Sequence, residues 1–138
     1  MEIKPIITHH FVKSEDLNHH GTLYAGRTAE WFVEAGLIAT AAYIPAENIV
    51  CLKIHGMSFT RPVQLGEIIG FTGKVVYTGT TRLVTNIRMC GKDDDEVLNG
   101  FITFVNVDRE GHPFPHGVEV EAVSPEDIAL QEQAKTLH

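Results

Sequence analysis

Residues 16–43 read DLNHHGTLYAGRTAEWFVEAGLIATAAY, and this stretch decides the fold. It opens as a polar loop containing a glycine, then turns apolar at helical spacing. Ala29, Trp31, Phe32, Ala35, Gly36, Ala39 and Ala42 recur at such intervals, and Val33 and Leu37 widen the apolar face. Arg27, Glu30 and Glu34 form one narrow polar stripe. The pattern predicts a helix from Ala25 or Gly26 to about Tyr43, apolar over most of its surface. Pro45 ends it, because a residue preceding proline avoids the helical region.

The segments around this helix alternate like strands. Ile3 to Val12 predicts a short strand that Pro5 keeps out of a helix. Ile49 to Thr60 alternates Val50, Leu52 and Ile54 against Lys53 and His55, with a bulge expected at Gly56 and the strand resuming at Met57 and Phe59. Glu67–Tyr77, Thr81–Cys90 and Val97–Val107 follow, joined by short turns at Gly79 and Lys92–Asp95. Short connections between long strands mean antiparallel neighbours. Ser124-Pro125-Glu126 is a helix start with a cap, a proline at the first position and acids in the first turn, which predicts a surface helix over about 125–135.

The chain has 138 residues, a formal net charge of −7 and 21% charged residues. That is enough material for one domain with its own core. The acidic balance argues against a nucleic-acid partner, whose phosphates need a basic face. No apolar run reaches membrane-spanning length, and the start lacks the apolar core of a leader peptide, so a cytoplasmic setting is expected. Cys51 and Cys90 lie in expected strands without metal-ligand spacing and read as free, buried thiols. The pairs His9–His10 and His19–His20 lack a third ligand, so no metal site is expected.

Four short motifs sit in order along this frame. They are Asn18-His-His-Gly21-Thr-Leu-Tyr24-Ala-Gly26, Phe59-x-Arg61-Pro62-Val63-x-x-Gly66, Gly79-Thr80-Thr81, and Phe104-Val105-x-Val107-Asp108-x-x-Gly111-x-Pro113. Together they resemble the hotdog-fold acyl-CoA thioesterases over nearly the whole chain. The resemblance implies an α+β hotdog domain over residues 1–138, with one long central helix wrapped by a five- or six-stranded antiparallel sheet. It also implies a homodimer, or a tetramer or hexamer built from dimers. The activity implied is hydrolysis of an acyl-CoA thioester at a site across the dimer interface, with no separate cofactor, since CoA is part of the substrate.

By the same resemblance the backbone of Ala25 and Gly26, at the helix N-terminus, would polarise the thioester carbonyl. Asn18 matches the family's catalytic loop residue. The family's helix carboxylate falls on Val33 here, and the adjacent Glu34 is the candidate to replace it. Gly21 and Tyr24 would lie against the ligand. Arg61 and Arg82 would hold the CoA phosphates or adenine, because a protein of charge −7 needs a local cationic patch, and Thr81 would bond the pantetheine arm. Acyl-chain length would depend on Tyr24, Phe32 and Met57. Val33 also motivates an alternative, a non-catalytic acyl-CoA-binding module. Hydratase chemistry is a weaker third reading, because His112-Pro-Phe-Pro-His-Gly117 follows the last strand instead of preceding the helix.

Overall fold

A computed structural model describes residues 1–137; the last residue of the expected domain, His138, lies outside the described residues. The order of elements is β1 (Ile6–Phe11), α1 (Ala25–Thr40), β2 (Ile49–Ile54), β3 (Ile68–Thr78), β4 (Arg82–Cys90), β5 (Glu96–Asn106) and α2 (Pro125–Lys135). The strands form one antiparallel sheet in the order β1-β3-β4-β5-β2. β3, β4 and β5 are a meander. β1 and β2, which flank α1 in sequence, take the two edges.

α1 approaches the inner face closely because small residues meet there. A Cβ built on Gly73 of β3 would lie 2.8 Å from the Ala39 Cβ, and one on Gly36 would lie 3.1–3.3 Å from Ile87, Ile102 and Phe104. Where helix and sheet meet most tightly, the Thr40 hydroxyl lies 2.8 Å from that of Thr85 and also donates to the Gly36 carbonyl. Phe32, Phe71, Phe104, Ile69 and Ile87 are fully buried between these layers.

The expected wrapping of a long central helix is not what forms. α1 has 16 residues, about 24 Å at 1.5 Å per residue, and a second helix, α2, has 11. The sheet is open and covers one face of α1, leaving Glu30, Glu34 and Ile38 exposed. The physical reason lies on the sheet's other side. Ile3, Val76, Val84 and Ala134, with Phe101, Val120 and Leu130, pack into a second cluster beneath α2 and the segment leading to it. Chain packed on its outer face keeps the sheet from having to curl for cover.

Five strands form, not six. Beyond Ile54 the chain leaves regular pairing at Gly56, whose φ of +114° is a conformation open to glycine. Residues 55–63 run on as an irregular connector tied to β5 at two points, by His55 N–H to Phe101 O and Thr60 N–H to Val97 O. β2 departs from expectation too. Its Val50, Leu52 and Ile54 are each more than two-fifths exposed, and Cys51 is exposed where a buried thiol was expected; only Cys90 is buried. Alternation identified the strand, but no layer covers it.

Candidate functional site

The loop before α1 is folded by Asn18. Its side-chain carbonyl accepts the backbone N–H groups of His20 (2.8 Å) and Thr22 (3.2 Å), and its Nδ2 lies 3.1 Å from the Thr22 hydroxyl. Gly21, at φ +78°, closes the turn by donating to the Asn18 carbonyl. An amide NH2 has two donors, so the contact with Thr22 leaves one for a ligand. Asp16 anchors the loop. It is buried, accepts the Lys13 N–H at 2.9 Å and pairs with the Arg27 Nε at 3.2 Å. Sequence reasoning missed Asp16; its signal was an acid at the loop's start facing the sole cation of the helix.

The start of α1 is bare. Tyr24 takes the cap position, but no side chain caps the helix and its first turn carries no acid. The Tyr24 carbonyl accepts the N–H groups of Arg27 and Thr28. Those of Ala25 and Gly26 have no partner among the described residues. Uncapped N–H groups at the positive end of a helix favour negative charge on an oxygen placed before them. The Tyr24 ring folds over Gly26, and a Cβ there would push that exposed ring aside.

Beneath this helix start lies a cavity of about 400 Å³, lined by Asn18, Ala25, Thr28, Phe59, Arg61, Met89 and Val97 among others. Thr28, Met89 and Val97 were not singled out from the sequence; strand alternation marks such positions only as core. A larger hollow of about 940 Å³ on the outer face, lined by residues such as Ile7, His9, Ile68 and Lys92, shares no residue with it.

Arg61 reaches this cavity already engaged. Its guanidinium binds both Glu67 oxygens at 2.9 and 3.0 Å and Asp95 at 2.7 Å. Those hydrogen bonds raise its pKa and hold both carboxyls below their usual range. The clamp ties the 55–63 connector to the β3 entrance and the β4–β5 hairpin. Thr81 and Arg82 stand elsewhere. Arg82 opens β4 and Met89 nearly ends it, so they are about 23 Å apart at 3.3 Å per residue. Within one protomer, then, Asn18, Gly21, Tyr24, Ala25 and Gly26 come together at the helix start with Arg61 beside them, while Thr81 and Arg82 do not join them.

Glu34 takes the β1 flank of α1. Its carboxylate lies 3.9 Å from the His10 Nε2, and the His10 ring stacks on Trp31 at 4.2 Å. Burial lowers the His10 pKa, partly opposed by Glu34. Val33, about 100° away around the helix, is half-buried against the main core. Neither cysteine is activated, since burial raises the Cys90 thiol pKa and partial desolvation raises that of Cys51. Among the described residues no cluster of His, Cys, Asp or Glu is suited to a metal ion, and no helix is long and apolar enough to cross a membrane. Phe32 does not line the cavity; it is fully buried, close against Gly100.

Comparison with known proteins bears on this arrangement. Residues 20–98, which include the helix start and the connector, match the family described as the Thioesterase superfamily. The chain belongs to the thioesterase superfamily. Among other members, the acyl-CoA thioester hydrolase YciA of Salmonella typhimurium is 27% identical over 112 residues, spanning 75% of this chain and 84% of that protein. The Staphylococcus aureus acyl-CoA hydrolase, solved with butyryl coenzyme A, coenzyme A and coenzyme A disulfide, superposes with a TM-score of 0.83 at 23% identity, covering 95% of this chain and 79% of that one. An apo hexameric acyl-CoA thioesterase superposes at 0.86 with 24% identity, covering 95% and 86%. At these identities the two structures establish the fold of this superfamily member.

Proposed function

We propose that this protein hydrolyses acyl-CoA thioesters at the N-terminus of α1. One observation carries the reading: a helix start with two unpartnered N–H groups, at Ala25 and Gly26, adjoins a cavity that both Ala25 and Asn18, with its free amide donor, line. A thioester carbonyl seated there meets three donors. They stabilise the oxyanion that forms when water attacks, and they need no reorganisation to do so. Membership of the superfamily and the likeness to proteins described as acyl-CoA hydrolases support the same reaction class.

The working unit in this reading is a homodimer, with larger assemblies built from it. The exposed apolar edge of β2 supports edge-to-edge pairing, and several related structures are described as hexamers. CoA would lie across the interface, with Tyr24 and Gly21 beside the thioester. Thr81 and the exposed Arg82 of the second subunit would reach the pantetheine and phosphates. Glu34 is the carboxylate assigned to accept a proton from the attacking water, and to do so it must leave His10. Arg61 holds the site wall, since both its carboxylate partners already offset its charge.

One observation favours a second reading, a non-catalytic acyl-CoA-binding module. Val33 occupies the helix position where the thioesterase resemblance expects a carboxylate, and Glu34 is turned to the β1 flank, away from β2. Thiol release from an acyl-CoA panel separates the two, run on the native protein beside Glu34→Ala and Val33→Asp. Turnover by the native protein that Glu34→Ala abolishes supports hydrolysis with Glu34 as base. A native protein that binds acyl-CoA without turnover, and gains turnover from Val33→Asp, is a binding module. Activity indifferent to Glu34→Ala removes that residue from the mechanism.

A further inference from the structure

His10 stands beside the carboxylate that the proposed reaction needs, and its ring is fixed in place. Its backbone pairs with Ile69 of β3. The ring stacks on Trp31 at 4.2 Å, with the planes 9° apart, and meets Phe71 edge-on at 5.8 Å. Trp31 is buried and Phe71 fully so. Glu34 has the opposite character, with a side chain 56% exposed and free to turn. At 3.9 Å the two are too far apart for a hydrogen bond, so it takes charge on the ring to hold the carboxylate there. Burial opposes that charge most, and Lys13 and the neighbouring His9 oppose it too; Glu34 from α1 and Asp16 from the loop favour it. β3 adds only the apolar Ile69 and Phe71. The balance lowers the His10 pKa below its ordinary 6.5. The ring is therefore mostly neutral at neutral pH and charges on acidification.

We infer that His10 is a proton-operated latch on Glu34: the neutral ring leaves the carboxylate free to turn to the site, and the charged ring keeps it on the β1 flank. This rests on the reading above that Glu34 serves the reaction, and adds how that residue is regulated. His10 touches no substrate; it is a positioning residue. Linkage fixes the size of the effect. The factor by which the charged ring withdraws Glu34 is the factor by which Glu34 strengthens proton binding to the ring. For an ion pair this exposed, roughly a two- to fivefold loss of free carboxylate is expected.

Trp31 is the chain's single tryptophan. A protonated imidazole stacked on an indole quenches its emission, so fluorescence reads the charge of His10 without any substrate. Native protein, His10→Phe and Glu34→Gln are titrated by that emission between about pH 8 and about pH 5. Thiol release from an acyl-CoA panel is followed over the same range for native protein and His10→Phe. Thermal melts establish that each variant is folded, and His10→Gln takes over if His10→Phe does not melt cooperatively. Native emission is expected to fall in one step centred below pH 6.5. His10→Phe shows no step, and Glu34→Gln shows it at lower pH. Across that step native turnover falls roughly two- to fivefold relative to His10→Phe, each scaled to its own rate at neutral pH. If native protein and His10→Phe lose turnover alike, the inference falls while the hydrolase reading stands. A step at the same pH in native protein and Glu34→Gln also overturns it, because the ring then does not feel the carboxylate. If nothing is cleaved, the hydrolase reading falls and the emission step alone judges the latch, which stands where Glu34→Gln moves that step.

Discussion

The two helices of this protein begin in opposite ways. α2 is capped with care: the Ser124 hydroxyl accepts the Asp127 N–H at 3.1 Å, Pro125 takes the first position, and Glu126 and Asp127 lie in the first turn, at the positive end. α1, the longer and more buried helix, has none of this; its cap position is Tyr24 and its first turn carries no acid. A cap contributes about 1 kcal/mol. The chain uses that stabilisation where a helix only packs and forgoes it where N–H groups face a cavity. The difference teaches that a missing cap on an otherwise well-packed helix is itself a mark of a ligand site.

The sharpest way to break the contrast is to cap α1. Tyr24→Asp places a carboxylate where it accepts the Gly26 N–H, one of the two bare groups. Thiol release is expected to fall by roughly 100- to 1000-fold, the loss typical of one oxyanion donor, while the melting temperature rises by the equivalent of about 1 kcal/mol. A variant that kept its activity would show that these donors are not used. Asn18→Ala removes the remaining donor and unbinds the loop from His20 and Thr22. Its kcat/KM is expected to drop about 100-fold, with a modest loss of stability.

Arg61→Ala tests the wall of the site instead of its donors. Stability is expected to fall by about 1–2 kcal/mol, with a larger effect on KM than on kcat. The clamp also sets a pH dependence. The Arg61 hydrogen bonds hold Glu67 and Asp95 below their ordinary values of 4.5 and 3.8. Their contribution is therefore present above those values and is lost as pH falls through the lowered folded-state ones. Acid unfolding followed by circular dichroism should show that dependence in the native protein and a shallower one in Arg61→Ala. The smallest effect is expected at the other helix. Ser124→Ala should cost about 1 kcal/mol and leave turnover unchanged, which completes the contrast between the two helix starts.

Much of this was legible in the sequence, and the failures have physical causes. The Asn18–Gly26 loop, the helix start and the stop before Pro45 were read from local chemistry, which needs only neighbours along the chain. The wrapped helix was not, because wrapping depends on what covers the sheet's outer face, and that cover comes from Val120, Leu130 and Ala134 far along the chain. Cys51 was placed inside because alternation marks an apolar strand without saying whether anything lies over it. Arg61 was read as free for a phosphate because its partners, Glu67 and Asp95, are joined to it only by the fold. Glu34 could be assigned a helix face but not a neighbour; His10 lies in β1, which only the fold lays beside α1.

One consequence of the β2 edge concerns the protein before it has met its copy. Val50, Leu52 and Ile54 stand in water on a strand at the edge of the sheet, the arrangement that invites any passing strand. If β2 pairs with its own copy, the edge vanishes by mass action, and resistance to heat becomes a function of how much protein is present. A dilute solution should melt earlier than a concentrated one. A chain fresh from synthesis would be at its most vulnerable while its copies are still scarce.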